Sequence, residues 1–337
     1  MVASEPRAPT RPVWAERVER GSISALRFMM TVVRWLGRPA MRVLLNPAAA
    51  YYLVADAKAR RASRDYLERV YATPEGRAAL GRAPSWRATY RHLFEFATAI
   101  SDRACVFAGF DDDFTFDHRG AGHFAHLPEG RGSNRNALGK CGALIVGAHV
   151  GSFDMMRSIC MEADVPVSVV MYGDNAQTIN RFLDALNPNL NLRMIHVGSD
   201  ATSAALEIRA AIERGEFVAI MGDRVPLTGR GTRTVPFLGA PARFSEGPFQ
   251  LAALIGCPVI VACALRTGDA RYRVESEPLY AGGRVPRAQR DAVVGEMLEA
   301  FARHLERTCL REPYQWYNFF DFWAESSPAE SSPAESS

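Results

Sequence analysis

The hydrophobic positions of this chain change texture along its length, and each texture predicts a different kind of element. Ser22 to Ala55, SISALRFMMTVVRWLGRPAMRVLLNPAAAYYLVA, is apolar but interrupted by Arg27, Arg34, Arg38 and Arg42 and punctuated by Pro39 and Pro47. From Asp56 to about Ser101 the apolar residues recur at helical spacing, in two amphipathic stretches separated by Pro74 and Gly76. Asp111, Asp112, Asp113, Gly120 and Gly122 mark loops. From Gly142 onward, short continuous apolar runs alternate with amphipathic ones. GALIVGAHV, PVSVVMY, LRMIHVG and EFVAIMGD suit strands buried on both faces. GSFDMMRSICMEA, AQTINRFLDAL and ATSAALEIRAAIERG suit helices, with Ser152 placed to cap the first and Gly215 to close the last. LAALIGCPVIVACALR reads as a helix that turns through Gly256 and Pro258 into a strand, and GEMLEAFARHLERTCLREP as a helix stopped by Pro313. Strands alternating with helices predict an α/β domain with a largely parallel sheet flanked by helices.

This pattern divides the chain into four segments. Residues 1–21 are polar and proline-containing, a flexible N-terminus without a secretory pattern; residues 22–100 are helical; residues 101–323 form the α/β domain; residues 324–337 are a low-complexity, disordered tail. No uninterrupted apolar run reaches bilayer-spanning length. The arginines of the 22–55 segment would be costly at a bilayer centre but can snorkel at its edge, and Trp35, Tyr51 and Tyr52 add interfacial character. Two readings follow: helices lying on a membrane, or an amphipathic helical hairpin packed on the core.

Composition narrows the classes. A hydrophobic share of 48% over 337 residues supports a large core, and a net charge of +3 lacks the concentrated basic surface of a nucleic-acid binder. The six cysteines contain no C-x-x-C pair, which points to buried thiols in a reducing compartment and away from zinc. His118, His123 and His126 have no carboxylate or cysteine partners at matching spacing, so they read as loop or surface histidines.

The chemistry concentrates after the first buried strand. His149 stands at its carboxyl end, where ligands bind in open α/β sheets, and Asp154 follows five positions later in the first turn of the next helix. From there the carboxylate can accept a bond from Nδ1–H and leave Nε2 free to take a proton from a hydroxyl. Gly147 and Gly151 keep the loop narrow enough for a substrate to approach its backbone. The competing structural reading is a core histidine bonded to a capping carboxylate. A dinucleotide site lacks its G-x-G-x-x-G here, and a serine hydrolase lacks its G-x-S-x-G. A second block, MGDRVPLTGRGTRTVPFLGAPARFSEGPFQLA, follows another strand. Its Arg224, Arg230, Arg233 and Arg243 crowd a Gly/Pro-rich loop and suit an anionic ligand such as a phosphate, while Phe237 and Leu238 suit an acyl groove. A solvated loop with a hydrophobic anchor is the plainer reading. The aromatic end, Trp316, Tyr317, Phe319, Phe320, Phe322 and Trp323, suits either a membrane interface or a return onto the core.

Taken together, GAHVGSFD, GDR…VPFLGAP and GPFQLAALIGCPVIV resemble the bacterial lysophospholipid acyltransferase superfamily, and most of all its lipid A late acyltransferase branch. The resemblance covers roughly residues 20–323. KARRASRDYLERV and PYQWYNFFDFW are also similar to a subgroup of acyltransferases of outer-membrane lipid or aryl-polyene clusters. The resemblance implies a glycerolipid acyltransferase-like fold and a one-step transfer from acyl carrier protein or coenzyme A to a hydroxyl of a lipid-like acceptor. His149 would be the base and Asp154 its partner, with no metal or bound cofactor. It further places Asp223 and Arg224 near the site, together with Arg230, Arg233 and Gly239. It implies a membrane surface as partner, on the cytoplasmic face of a bacterial inner membrane, peripheral or monotopic. The chain departs from the lipid A enzymes in having Asp154 where they usually have Glu, and in lacking their clearer membrane-spanning helix. Two other classes share the same residues: a lipid or thioester hydrolase, and a noncatalytic lipid-binding protein.

Overall fold

A computed structural model describes residues 23–107, 109–110, 113–119, 124, 127–130, 134–153, 155, 165–172, 192–197, 201–225 and 231–323. The chain opens with four helices, α1 (Ile23–Ala55), α2 (Ala57–Ala72), α3 (Pro74–Leu80) and α4 (Trp86–Phe107). The strands β1 (Thr115–Arg119), β2 (Ala143–Gly147), β3 (Val167–Tyr172) and β4 (Leu192–Val197) follow, then α5 (Ala201–Glu213) and β5 (Phe217–Met221). A hairpin of β6 (Thr232–Phe237) and β7 (Ala240–Ser245) precedes α6 (Gly247–Ile255), β8 (Val259–Gly268), β9 (Arg271–Tyr280) and the final helix α7 (Arg290–Arg311).

Seven strands form one sheet in the order β1-β9-β8-β2-β5-β3-β4. Every neighbouring pair is parallel except β8 and β9, which pair antiparallel. Alternate residues of the central strands enter two separate cores. Leu144, Val146, Val218, Ile220 and Val261 belong to one, with α5, α6, α7 and the C-terminal aromatics. Ala143, Ile145, Phe217, Ala219 and Ile260 belong to the other, with residues of α1 and α4. Both faces of β2 and β5 are therefore dry, which is why these strands read as unbroken apolar runs instead of alternating ones.

The helix–strand alternation of the second half is as anticipated for α5, β5, α6, β8 and α7. The helices expected over 151–163 and 176–186 lie almost wholly outside the described residues, as do residues 1–22, His123, His126 and the tail. Three elements differ from expectation. The segment holding His118 was anticipated as loop, yet TFDHR forms the edge strand β1. β9 carries charged side chains at every second position, which hides its buried Tyr272, Val274 and Ser276. The Gly/Pro-rich second block was anticipated as loop, yet it folds as the β6–β7 hairpin around Leu238–Gly239. Both turn residues have positive φ, 48° and 76°, as a two-residue hairpin of type I′ requires.

The N-terminal segment is two helical stretches that meet at a kink. Gly37, at φ 76° and ψ 172°, breaks the helical path within α1. Val32, Val33, Met41, Leu45 and Ala49 face inward. Arg38 is turned inward as well, 2.8 Å from Asp102 of α4, whose other oxygen accepts a hydrogen bond from Tyr272. Arg42 reaches Asp269 at 3.2 Å. The outward face leaves Phe28, Trp35, Leu36, Val43, Tyr51 and Val54 exposed. The C-terminal aromatics return onto the core: Trp316, Tyr317, Phe319, Phe322 and Trp323 are all buried. The five described cysteines are buried and unpaired. Burial pushes the thiols of Cys257 and Cys263 up to about 12, so they stay protonated and unreactive.

Candidate active site

Strands β2 and β5 are parallel neighbours, and Gly147 lies opposite Met221. Two residues beyond that pair, on each strand, stand His149 and Asp223. Equal overrun at the carboxyl edge of the sheet brings the two side chains together. His149 Nδ1 lies 2.8 Å from Asp223 Oδ1, and the His149 backbone N–H donates to Oδ2, also at 2.8 Å. Trp316 Nε1–H donates to the same Oδ2 at 3.2 Å. The carboxylate is thus held by three N–H groups in a nearly dry position, its side chain 2% exposed against 34% for the imidazole. Burial alone would raise the Asp223 carboxyl, but the charge and hydrogen bonds of His149, together with Arg224, outweigh it and hold the group at about 2. Asp223 is therefore an anion at neutral pH, and an anion accepts Nδ1–H. That tautomer leaves Nε2 as the basic nitrogen. No described residue hydrogen-bonds Nε2.

Arg224, half-buried, approaches the same ring nitrogen as Asp223, its Nε 3.3 Å from His149 Nδ1; with Nδ1–H given to the nearer carboxylate, this is a close approach of charge and not a hydrogen bond. Its guanidinium lies over the Phe320 ring, 4.5 Å from the centroid, which fixes a positive charge beside the imidazole.

The loop after β2 is clamped on both sides. Gly151 N–H donates to Gln315 O at 2.8 Å, and Tyr317 N–H donates to His149 O at 2.7 Å. On the opposite side Ser152 N–H donates to Ala264 O at 2.8 Å. Gly151 has φ +63°, and a Cβ there would sit 2.0 Å from Ala264 O. The glycine is needed because protein backbone approaches it, where substrate approach was expected from the sequence.

Of the residues singled out in the sequence, His149, Asp223 and Arg224 come together, with Gly151 in the same loop. Asp154 and Arg230 lie outside the described residues. Phe237 was expected to line an acyl groove; it is fully buried, its ring 5.4 Å from Phe244 and 5.3 Å from Trp316, so it forms the floor beneath the site. Arg233 was expected to meet an anionic ligand; it is bonded to Glu246 at 2.7 Å and to Asp291 at 2.6 Å, and two carboxylates already neutralise it. Arg243 donates to Thr232 across the hairpin at 2.8 Å. Gly239 is in the hairpin turn, and among the described residues beyond its chain neighbours none stands within 4 Å of where its Cβ would be. Sequence reasoning missed Trp316 and Phe320 as site residues. The signal available was the dense aromatic run PYQWYNFFDFW, whose size favours burial but whose place does not follow from composition.

The residues that build this arrangement fall within one recognised stretch. The family described as bacterial lipid A biosynthesis acyltransferase matches residues 134–324. The chain belongs to that family. No curated protein matches the sequence. Membership makes the chain an acyltransferase of lipid biosynthesis, and acyl transfer to a lipid acceptor its class of reaction. His149, Asp223, Arg224 and Trp316 all lie inside the matched span, whereas α1–α4 precede it.

Proposed function

We propose that this chain moves a fatty acyl group from an acyl thioester to a hydroxyl of a lipid acceptor, with His149 as general base. The observation that carries the reading is the 2.8 Å contact between His149 Nδ1 and the buried, ionised Asp223. Nε2 takes the proton of the acceptor hydroxyl as its oxygen attacks the thioester carbonyl carbon. The tetrahedral adduct then collapses, the C–S bond breaks, and the leaving sulfur takes the proton back from Nε2–H. The products are an ester and a free thiol. Asp223 fixes the tautomer and stabilises the imidazolium that forms between the two proton transfers. Asp154, at the H-x-x-x-x-D spacing, is the residue that the family resemblance makes the partner of the same histidine. Arg224 binds the anionic part of a substrate, a phosphate or phosphopantetheine arm. The donor is acyl carrier protein or coenzyme A.

The outward face of α1 is read as the surface that rests on lipid. The helix contains no acidic residue, Arg38 is drawn inward to Asp102 and Arg42 pairs with Asp269, and Trp35, Tyr51 and their apolar neighbours face outward. Among the described residues no helix is long and apolar enough to cross a membrane, so the attachment proposed is interfacial. Family likeness supports the cytoplasmic face of a bacterial inner membrane.

Mass spectrometry of lipids from cells with and without the gene tests the assignment. A lipid species heavier by one acyl group, present only with the gene, is the expected result. Free fatty acid released from the thioester at the same rate with and without lipid acceptor would identify a hydrolase instead.

A further inference from the structure

Trp316 is the residue through which the C-terminal segment reaches the Asp223 carboxylate. Residues 315–317 lie alongside the loop after β2 as a short antiparallel bridge, Val150 opposite Trp316. Gln315 ties the same segment to β8: its Oε1 accepts from Arg266 N–H at 2.8 Å and its Nε2–H donates to Arg266 O at 2.9 Å. The Trp316 carbonyl accepts from His92 Nε2–H of α4 at 2.8 Å, and His92 Nδ1 in turn accepts from Ser63 of α2 at 2.9 Å. The indole is fully buried among Tyr66, Phe237 and Phe322, with ring centroids 4.9, 5.3 and 5.0 Å away. An indole has a single polar atom, its N–H, and here that atom points at Asp223 Oδ2.

We propose that Trp316 is a positioning residue for acyl transfer: its indole N–H fixes the plane of the Asp223 carboxylate so that Oδ1 faces His149 Nδ1. The inference rests on the reading of His149 as the base. A carboxylate with one oxygen held by two donors, Trp316 Nε1–H and His149 N–H, cannot turn about its bond to Cβ without losing both. Removing the indole donor leaves Oδ2 held by His149 N–H alone and the carboxylate charge less shared, so the imidazole feels that charge more fully. Among the described residues the charged groups facing the imidazole are Asp223 and Arg224, and the substitution changes the formal charge of neither. A tryptophan serving packing alone would have no such electrostatic influence.

The test replaces Trp316 by 3-benzothienylalanine, which keeps the bicyclic shape and puts sulfur where the N–H was. The full-length chain, with histidines labelled in carbon-13 and nitrogen-15, is titrated by NMR, and His149 is assigned by its loss in His149→Gln. The expected result is an upward move of the His149 midpoint by roughly half a unit or more, with the unfolding temperature little changed. In the unsubstituted protein the Trp316 indole N–H resonance should shift as His149 titrates. An unmoved His149 midpoint in a folded substituted protein overturns the proposal, and so does an indole signal indifferent to His149. Neither readout needs turnover. Acyl transfer retained by His149→Gln would defeat the reading of the base while leaving these shifts intact, so the two failures are distinct.

Discussion

His149 and Asp223 stand 74 positions apart in the chain, and 2.8 Å separates Nδ1 of the one from Oδ1 of the other. The contact is a consequence of strand order. β2 and β5 are distant in sequence but adjacent in the sheet, in a register that places the two residues at the same height beyond its edge. A buried carboxylate at that position can be kept ionised only by donors, and it has three, from His149 twice and from Trp316.

Asp223→Asn should reduce turnover by roughly a hundred- to ten-thousand-fold, with a much smaller change in KM. The amide turns an N–H toward Nδ1, which then must accept, and the proton moves to Nε2 where a base is required. Thiol release from an acyl thioester, followed with saturating lipid acceptor, measures the effect. Asp154→Asn should cost less in the same assay. The reverse order would transfer the orienting role to Asp154.

Stability should depend on pH through His92. Burial lowers its pKa from 6.5 to about 4, only partly opposed by its bond to the Trp316 carbonyl. The unfolded chain takes up the proton first as pH falls, so stability is full above about 6.5 and is lost progressively down to about 4. The loss is on the order of 3 kcal/mol. His304, lowered by burial, acts in the same direction. Urea midpoints across pH 4–8 check this: His92→Gln should show a visibly flatter decline than the parent protein, and equal slopes would contradict it.

Gly151→Ala should destabilise the fold by about 1–3 kcal/mol or more, because the new methyl meets the Ala264 carbonyl in a backbone conformation that also disfavours it. The loop must shift to relieve the clash, and His149 shifts with it, so turnover should fall beyond the loss of folded protein. A urea midpoint equal to that of the parent would show that the clamp between β8 and the C-terminal segment is loose.

Lipid attachment should depend on the outward face of α1. Trp35→Ser with Tyr51→Ser removes two exposed aromatics and should weaken cosedimentation with anionic phosphatidylglycerol vesicles about tenfold or more, on the scale of burying such side chains. Undiminished cosedimentation would move the contact elsewhere on the molecule.

Much of the fold was legible because the central strands are buried on both sides and the helices between them are amphipathic; β5, α5, α6 and β8 follow from the pattern. The strands β1 and β9 did not, since an edge strand and a strand laced with charged side chains lose the apolar run that marks their neighbours. His149 was legible as a histidine at a strand end. Its described partner was not assigned from spacing, because a parallel sheet pairs strands by spatial order, which local sequence does not carry. Arg233, of the second block, shows what spacing leaves out. In sequence it suits an anionic ligand; in the fold it pairs with Glu246 and Asp291, the latter 58 positions away.

The most direct test is acyl transfer by purified His149→Gln, with a radiolabelled palmitoyl thioester and lipid extracted from the host membrane. The label should fail to enter lipid, with turnover lower by roughly a hundred- to ten-thousand-fold, while circular dichroism and unfolding temperature match the parent protein. Label entering lipid at the parental rate would contradict a proton-accepting role for His149.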